Sequence, residues 1–69
     1  MAGKDLRELR KQMLLKQSHM SEILGVHWTT LSDWERAKAD VPHHAALIAT
    51  LIAEDASLRD KVVKMTVTP

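Results

Sequence analysis

Few residues of this chain are suited to chemistry, and their spacing favours binding over catalysis. The 69-residue sequence has no cysteine, which excludes disulfides and thiolate metal sites. It shows no paired carboxylates, no nucleophile beside a base and no glycine-rich phosphate loop. His43 and His44 are adjacent and point apart on a helix, so they are poorly placed to share a metal. We predict that the chain is not an enzyme and uses no metal or cofactor.

The segment "VHWTTLSDWER", residues 26–36, carries both tryptophans of a chain that has no tyrosine or phenylalanine. On a helix, Leu31 and Trp34 lie on one side and Trp28 lies on the opposite side. We therefore predict that Trp34 is in the core and that Trp28 belongs to a contact surface, because exposed aromatic residues are typical of binding hot spots. Packing of Trp28 against a neighbouring helix and exposure without a role are the alternatives.

The spacing of apolar residues predicts an all-helical chain. Gly25 is expected to end the second helix and Pro42 to begin the fourth. The predicted helices cover about residues 4–15, 17–24, 28–36, 44–54 and 56–65. The apolar face of the fourth helix is predicted from Leu47, Ile48, Leu51 and Ile52.

Length and charge restrict the architecture further. The chain is short enough for one domain, residues 1–69. No stretch resembles a signal peptide or a transmembrane helix, so we expect a cytoplasmic protein without a membrane partner. A small helical bundle is also expected to lack room for a ligand pocket, so no small-molecule ligand is predicted. The net charge of +1 means that nucleic-acid binding would depend on the local placement of charge.

The second and third predicted helices have the spacing of a helix-turn-helix, which is two short helices joined through a glycine within about twenty residues. That unit needs a small residue where the helices cross, which is Ser21, and a glycine in the turn, which is Gly25. The apolar residues at its inward positions are Met20, Leu24, Val26, Leu31 and Trp34.

On these residues the chain resembles the phage repressor and Cro-type helix-turn-helix proteins, also called the xenobiotic-response-element-like group. The resemblance covers about residues 5–58 and includes "LRELRKQ", Gln17, "SEILGVHWTTLSDWER" and Pro42. It implies a five-helix, lambda-repressor-like bundle whose third helix enters the major groove of DNA. It also implies an ion pair between Arg10 and Glu35 that fixes the angle between helices.

Two positions depart from the pattern of that family. Leu14 stands where the first helix usually ends in glycine or a polar residue, and Ala37 stands where glycine usually follows "ER". A left-handed backbone at a leucine costs roughly 1 kcal/mol or more, and the cost at alanine is similar. For Leu14 two alternatives remain: the first helix runs on, or Leu14 takes a different turn.

The resemblance directs one face of the third helix toward DNA. None of its residues is an arginine or glutamine, which make the commonest bidentate base contacts. Thr29 can touch a thymine methyl or donate to a phosphate, and Asp33 can accept from cytosine N4 while its charge disfavours wrong sites. The predicted base-readout residues are Trp28, Thr29, Ser32 and Asp33.

Predicted contacts to the DNA backbone surround the two helices. Backbone N–H groups at the start of the second helix favour an anion, and nearby cations flank the groove. For His27 a polar helix cap is the alternative to a phosphate contact. The predicted backbone contacts are Lys16, Gln17, Ser18, His27, Arg36 and Lys38.

The fifth helix and the tail, residues 56–69, form the predicted dimerisation segment. With so few positive charges per subunit, we expect two subunits on two half-sites about 34 Å apart. Val67 is expected to add a short intersubunit strand. The predicted dimer contact consists of Leu58, Val62, Val63 and Met65. For Leu58, Val62 and Val63, closure of the monomer core is the alternative.

Together these patterns predict a dimeric transcriptional regulator that binds double-stranded DNA, a repressor of phage or bacterial origin acting at a palindromic operator. The alternative is a protein-interaction module, such as an antitoxin or phage factor that binds a toxin or a host protein. The low net charge and the lack of arginine or glutamine readers favour that alternative. Salt separates the two, because DNA binding weakens steeply as salt is added.

Overall fold

A computed structural model describes residues 1–66 of the chain, and within them every regular element is a helix. The prediction of an all-helical fold is therefore confirmed for this part. The strand expected from Val67 lies outside the described residues. The helices are α1 (Gly3–Gln12), α2 (Gln17–Leu24), α3 (Trp28–Glu35), α4 (His43–Glu54) and α5 (Ala56–Thr66).

The predicted end of the first helix, at residue 15, is wrong, because α1 stops at Gln12. Leu14 adopts a left-handed backbone with φ of 58°. Its N–H donates to the Lys11 carbonyl at 3.0 Å, and the Leu15 N–H donates to the Arg10 carbonyl at 3.1 Å. This pair of bonds is a Schellman cap, which turns the chain out of the helix. The other predicted boundaries lie within one residue of those observed.

The same cap ends α2 and α3. Gly25 has φ of 71° and Ala37 has φ of 59°. In both caps one N–H bonds three residues back and the next bonds five residues back, as for Val26 to Ser21 at 2.9 Å and Lys38 to Asp33 at 2.9 Å. Only one of the three left-handed positions is a glycine, so the two others carry a backbone cost of about 1 kcal/mol or more each.

The core is built from side chains of the first four helices. Leu6, Met20, Leu31 and Ile52 are its largest fully buried side chains, and Trp34 is buried beside them. Gly3, at the start of α1, is buried against the end of α3, where an added Cβ would overlap the Trp34 carbonyl oxygen. The backbones of α1 and α3 are therefore so close at this point that only a glycine fits.

The predicted apolar face of the fourth helix is partly wrong. Its buried residues are Ala45, Ala49 and Ile52, with Ile48 packed beside them. The two leucines that the pattern placed inward, Leu47 and Leu51, are about half exposed, at 51% and 48%. Two alanines therefore hold buried positions of α4, and the larger leucines lie toward its exposed side.

The fifth helix contributes to the core of this chain. Leu58 and Val62 pack against the buried cluster, as the monomer alternative predicts for these two. Val63 is half-buried, and Met65 is largely exposed. The structure contains a single chain, so a dimer contact through any of the four residues stays a prediction.

Candidate functional site

A buried polar network joins the first three helices. The Arg10 guanidinium donates from Nε to Glu35 Oε2 at 2.8 Å and from Nη2 to Glu35 Oε1 at 3.0 Å. Its Nη1 donates to the Leu15 carbonyl at 3.0 Å, and Gln17 Nε2 donates to Glu35 Oε1 at 3.2 Å. One carboxylate at the end of α3 therefore binds α1 and α2 together.

The network is nearly closed to water. The side chain of Glu35 is 2% exposed and that of Arg10 is 12% exposed. The two-bond geometry is that of a fork-to-fork arginine–carboxylate pair, which restricts orientation as well as distance. Its structural effect is to fix how α3 stands relative to α1 and α2.

An open cleft of about 320 Å³ lies beside this network. The expectation that the bundle lacks room for a pocket is therefore too strict, because this volume is at the lower end of the usual range for ligand sites. The lining is entirely polar or charged, however, which is unlike an ordinary small-molecule pocket. The lining residues are Arg7, Arg10, Gln17, Glu35 and Arg36.

The junction between α2 and α3 is well packed. These helices share the most extensive helix–helix contact of the described chain. Ser21 is buried, and its hydroxyl donates to the Ser18 carbonyl at 2.9 Å, so this polar residue is satisfied within α2. Val26, between the helices, packs against the core. The loop from Gly25 to His27 is therefore held at both of its ends.

The outer face of α3 carries the four residues predicted for base readout. Leu31 and Trp34 point inward, as the helical spacing requires. Thr29 and Asp33 are exposed and Ser32 is half-buried. Trp28 is 52% exposed, with its ring 5.8 Å from that of His27 and tilted by 34°. These side chains form one accessible surface, whose contact with DNA bases stays a prediction.

His27 caps the N-terminus of α3. The Thr29 N–H donates to His27 Nδ1 at 3.3 Å, and the Thr29 hydroxyl lies 2.7 Å from the same nitrogen. The bond from the Thr29 N–H makes His27 the side-chain cap of α3. The cap alternative thus describes His27, and a phosphate contact stays a prediction.

The predicted backbone contacts lie in two groups. Lys16 and Ser18 are exposed at the start of α2, where Lys16 is the N-cap residue and supplies no side-chain bond to the helix. Arg36 and Lys38 are exposed just beyond α3. Gln17 is half-buried and donates its amide to Glu35, so it orients the network in addition to any phosphate contact.

Arg7 is a site residue that the sequence analysis missed. It is exposed on α1, yet it lines the same cleft as Gln17 and Arg36. A signal was present, because Arg7 lies three residues before Arg10 and such pairs share a helix face. Its proximity to the residue after α3 depends on how the helices pack, which the local pattern does not specify.

A comparison of the chain with protein-family models, curated proteins and solved structures found no match. Within residues 1–66, no group of three or more histidines and carboxylates is arranged to hold a metal ion. None of the described helices is both long enough and apolar enough to cross a bilayer. The contacts, exposure and charges of the chain itself are therefore the basis for inferring its function.

Proposed function

We propose that the chain is a sequence-specific DNA-binding regulator in which α2 and α3 act as a helix-turn-helix and α3 enters the major groove. The observation that carries the proposal is the outer face of α3. It offers Trp28, Thr29 and Asp33 to a partner, while the buried Arg10–Glu35 pair fixes the helix that bears them. A resemblance to phage repressor and Cro-type proteins supports the same conclusion.

The dimensions of the molecule favour a dimer on a palindromic operator. An α-helix such as α3 is about 10–12 Å across with its side chains, which suits a major groove about 12 Å wide. The longest extent of the chain is 31 Å. Successive half-sites lie about 34 Å apart, so one chain serves one half-site and a second copy serves the next.

Hydrogen bonding at the start of α3 refines what each reader can recognise. The Thr29 side chain is exposed and its hydroxyl lies 2.7 Å from His27 Nδ1, so it offers a methyl group and a hydroxyl oxygen to the groove. Thr29 can therefore contact a thymine methyl or accept from an exocyclic amine. Asp33 has an exposed carboxylate, which accepts from cytosine N4 and is repelled by phosphates at a wrong site.

Selection from a random duplex library, followed by anisotropy titration of the enriched sequence, tests the proposal. We expect a symmetric sequence to be enriched, with affinity that falls steeply as salt is raised. Asp33→Asn should reduce discrimination at one base pair of each half-site by roughly 5- to 100-fold. Thr29→Ser keeps the hydroxyl that bonds to His27 and should lose preference only for thymine.

Glu54→Gln is the matched control, because Glu54 is exposed at the end of α4 and the substitution removes one negative charge from a helix other than α3. We expect this variant to keep the discrimination of the unaltered chain. Enrichment of no sequence refutes specific DNA binding. Enrichment that survives both α3 substitutions without a change in preferred bases refutes the assignment of α3 as the reader.

A second candidate function is a protein-interaction module, such as an antitoxin or a factor that binds a host protein. The exposed ring of Trp28 favours it, since aromatic residues are typical anchors at protein interfaces. A contact centred on Trp28 should weaken on Trp28→Ala and respond little to salt. Binding to duplex DNA with a steep salt dependence assigns the surface to the first function.

A further inference from the structure

Two arginines of the cleft have no carboxylate partner in the described chain. Arg7 lies on α1 and Arg36 directly follows α3, and both are exposed. Among residues 1–66 the only ion pair is Arg10 with Glu35. With three arginines and one glutamate in its lining, the cleft has a formal charge of +2. This excess is concentrated on Arg7 and Arg36, because Arg10 is neutralised by its partner.

The lining also specifies what kind of ligand fits. No apolar side chain contributes to it, which disfavours a hydrophobic peptide or an aromatic ligand. A guanidinium is a planar fork whose two N–H groups match the oxygens of a phosphate. Gln17 is the first residue of α2, so the cleft also adjoins a helix start, where N–H groups favour an anion.

We propose that this cleft, which we call the arginine cleft, is a clamp in which Arg7 and Arg36 hold one backbone phosphate of duplex DNA. The inference rests on the proposed function and adds Arg7 and a shared phosphate to it. Arg10 does not bind the phosphate; it is a positioning residue that holds Glu35, and thereby the end of α3, beside α1. One phosphate is contacted from the first helix and from the end of the third.

The first test is the salt dependence of binding to the selected duplex, for Arg7→Gln, Arg36→Gln and the double variant. Losing one phosphate contact per subunit should reduce the slope of log affinity against log salt by about 0.9, or about 1.8 for a dimer. Because the arginines share a phosphate, the double variant should lose no more slope than this. Arg7→Lys should keep the slope and lose affinity, because it retains the charge without the fork.

The second test replaces single phosphates of the duplex by uncharged methylphosphonates. Replacement of the phosphate at one position in each half-site should weaken binding of the unaltered chain by roughly tenfold, as expected for loss of charge-assisted hydrogen bonds. The same replacement should leave the double variant unaffected. Lys4→Gln on α1 is the control for bulk charge, since Lys4 is exposed and outside the cleft.

Each other result counts against the clamp in a distinguishable way. A double variant that keeps the full slope and the full methylphosphonate sensitivity overturns the clamp while specific DNA binding stands. An equal loss for Lys4→Gln overturns it too, since the effect is then one of overall charge. Absence of duplex binding by the unaltered chain refutes the proposed function and the clamp together. Unchanged melting temperatures of the variants exclude misfolding as the cause of a loss.

Discussion

Replacing Arg10 by methionine should destabilise the whole domain. The substitution keeps most of the side-chain length but removes three hydrogen bonds, two of them to Glu35 and one to the Leu15 carbonyl. Glu35 then keeps Gln17 as its one side-chain partner in the network, although its side chain is 2% exposed. A largely buried carboxylate that loses its paired cation is costly, because its burial limits how far water can compensate the charge.

The magnitude follows from burial. Removing one partner of a fully buried pair costs about 3–5 kcal/mol. Arg10 is 12% exposed and the Gln17 amide remains, so we expect a loss of about 2–4 kcal/mol in the free energy of unfolding. A domain of this length has a total stability of roughly 3–10 kcal/mol, so this loss is a large fraction of it.

Thermal and urea denaturation followed by circular dichroism would measure the effect. A domain of this size loses about 4–8 °C in Tm per kcal/mol, so the expected decrease is at least about 8 °C. The double variant Arg10→Met with Glu35→Met should recover part of the loss, because it leaves no unpaired buried charge. A Tm for Arg10→Met within about 2 °C of the unaltered chain would refute the reasoning that the pair holds the helices.

Three further predictions concern backbone packing and helix caps. Gly3→Ala should cost about 1–3 kcal/mol in urea denaturation, because its Cβ would overlap the Trp34 carbonyl; an unchanged midpoint contradicts the close approach. Ala37→Gly should raise the free energy of unfolding by about 1 kcal/mol, because glycine adopts the left-handed backbone without cost. Gly25 has a similar φ and open space where a Cβ would lie, so Gly25→Ala should lower the free energy of unfolding by a similar amount. Changes of the same sign contradict the cap assignment. His27→Ala should lower the free energy of unfolding by about 1 kcal/mol, whereas His27→Asn should keep it, because asparagine also caps a helix N-terminus. An equal loss in both variants argues against a cap.

Most helix boundaries were predictable because their signals are local. Gly25 ends α2, and Pro42 precedes the first residue of α4. Each acts within one turn of its own position, through a left-handed backbone or a fixed φ. The end of α1 lacked such a signal, since a leucine seldom adopts a left-handed backbone. The Schellman cap nevertheless forms at Leu14, and the Leu15 carbonyl accepts a hydrogen bond from the largely buried Arg10 side chain.

The core face of α4 shows why the size of an apolar side chain is a poor guide to its burial. The pattern placed Leu47 and Leu51 inward because leucine favours burial. The buried residues include Ala45 and Ala49, which allow α4 to approach its neighbours closely. Both sets lie at helical spacing, so periodicity does not distinguish them. The choice depends on the distance between helices, which is a property of the packed structure.

Local sequence patterns predict the helical class, most helix ends and the outward direction of Trp28, Thr29 and Asp33. These follow from caps and periodicity, which act over a few residues. The meeting of Arg7, Gln17 and Arg36 around one cleft was decided by tertiary structure alone. They come from three separate parts of the chain, and their distances depend on how the buried network and Gly3 set the packing of α1 against α3.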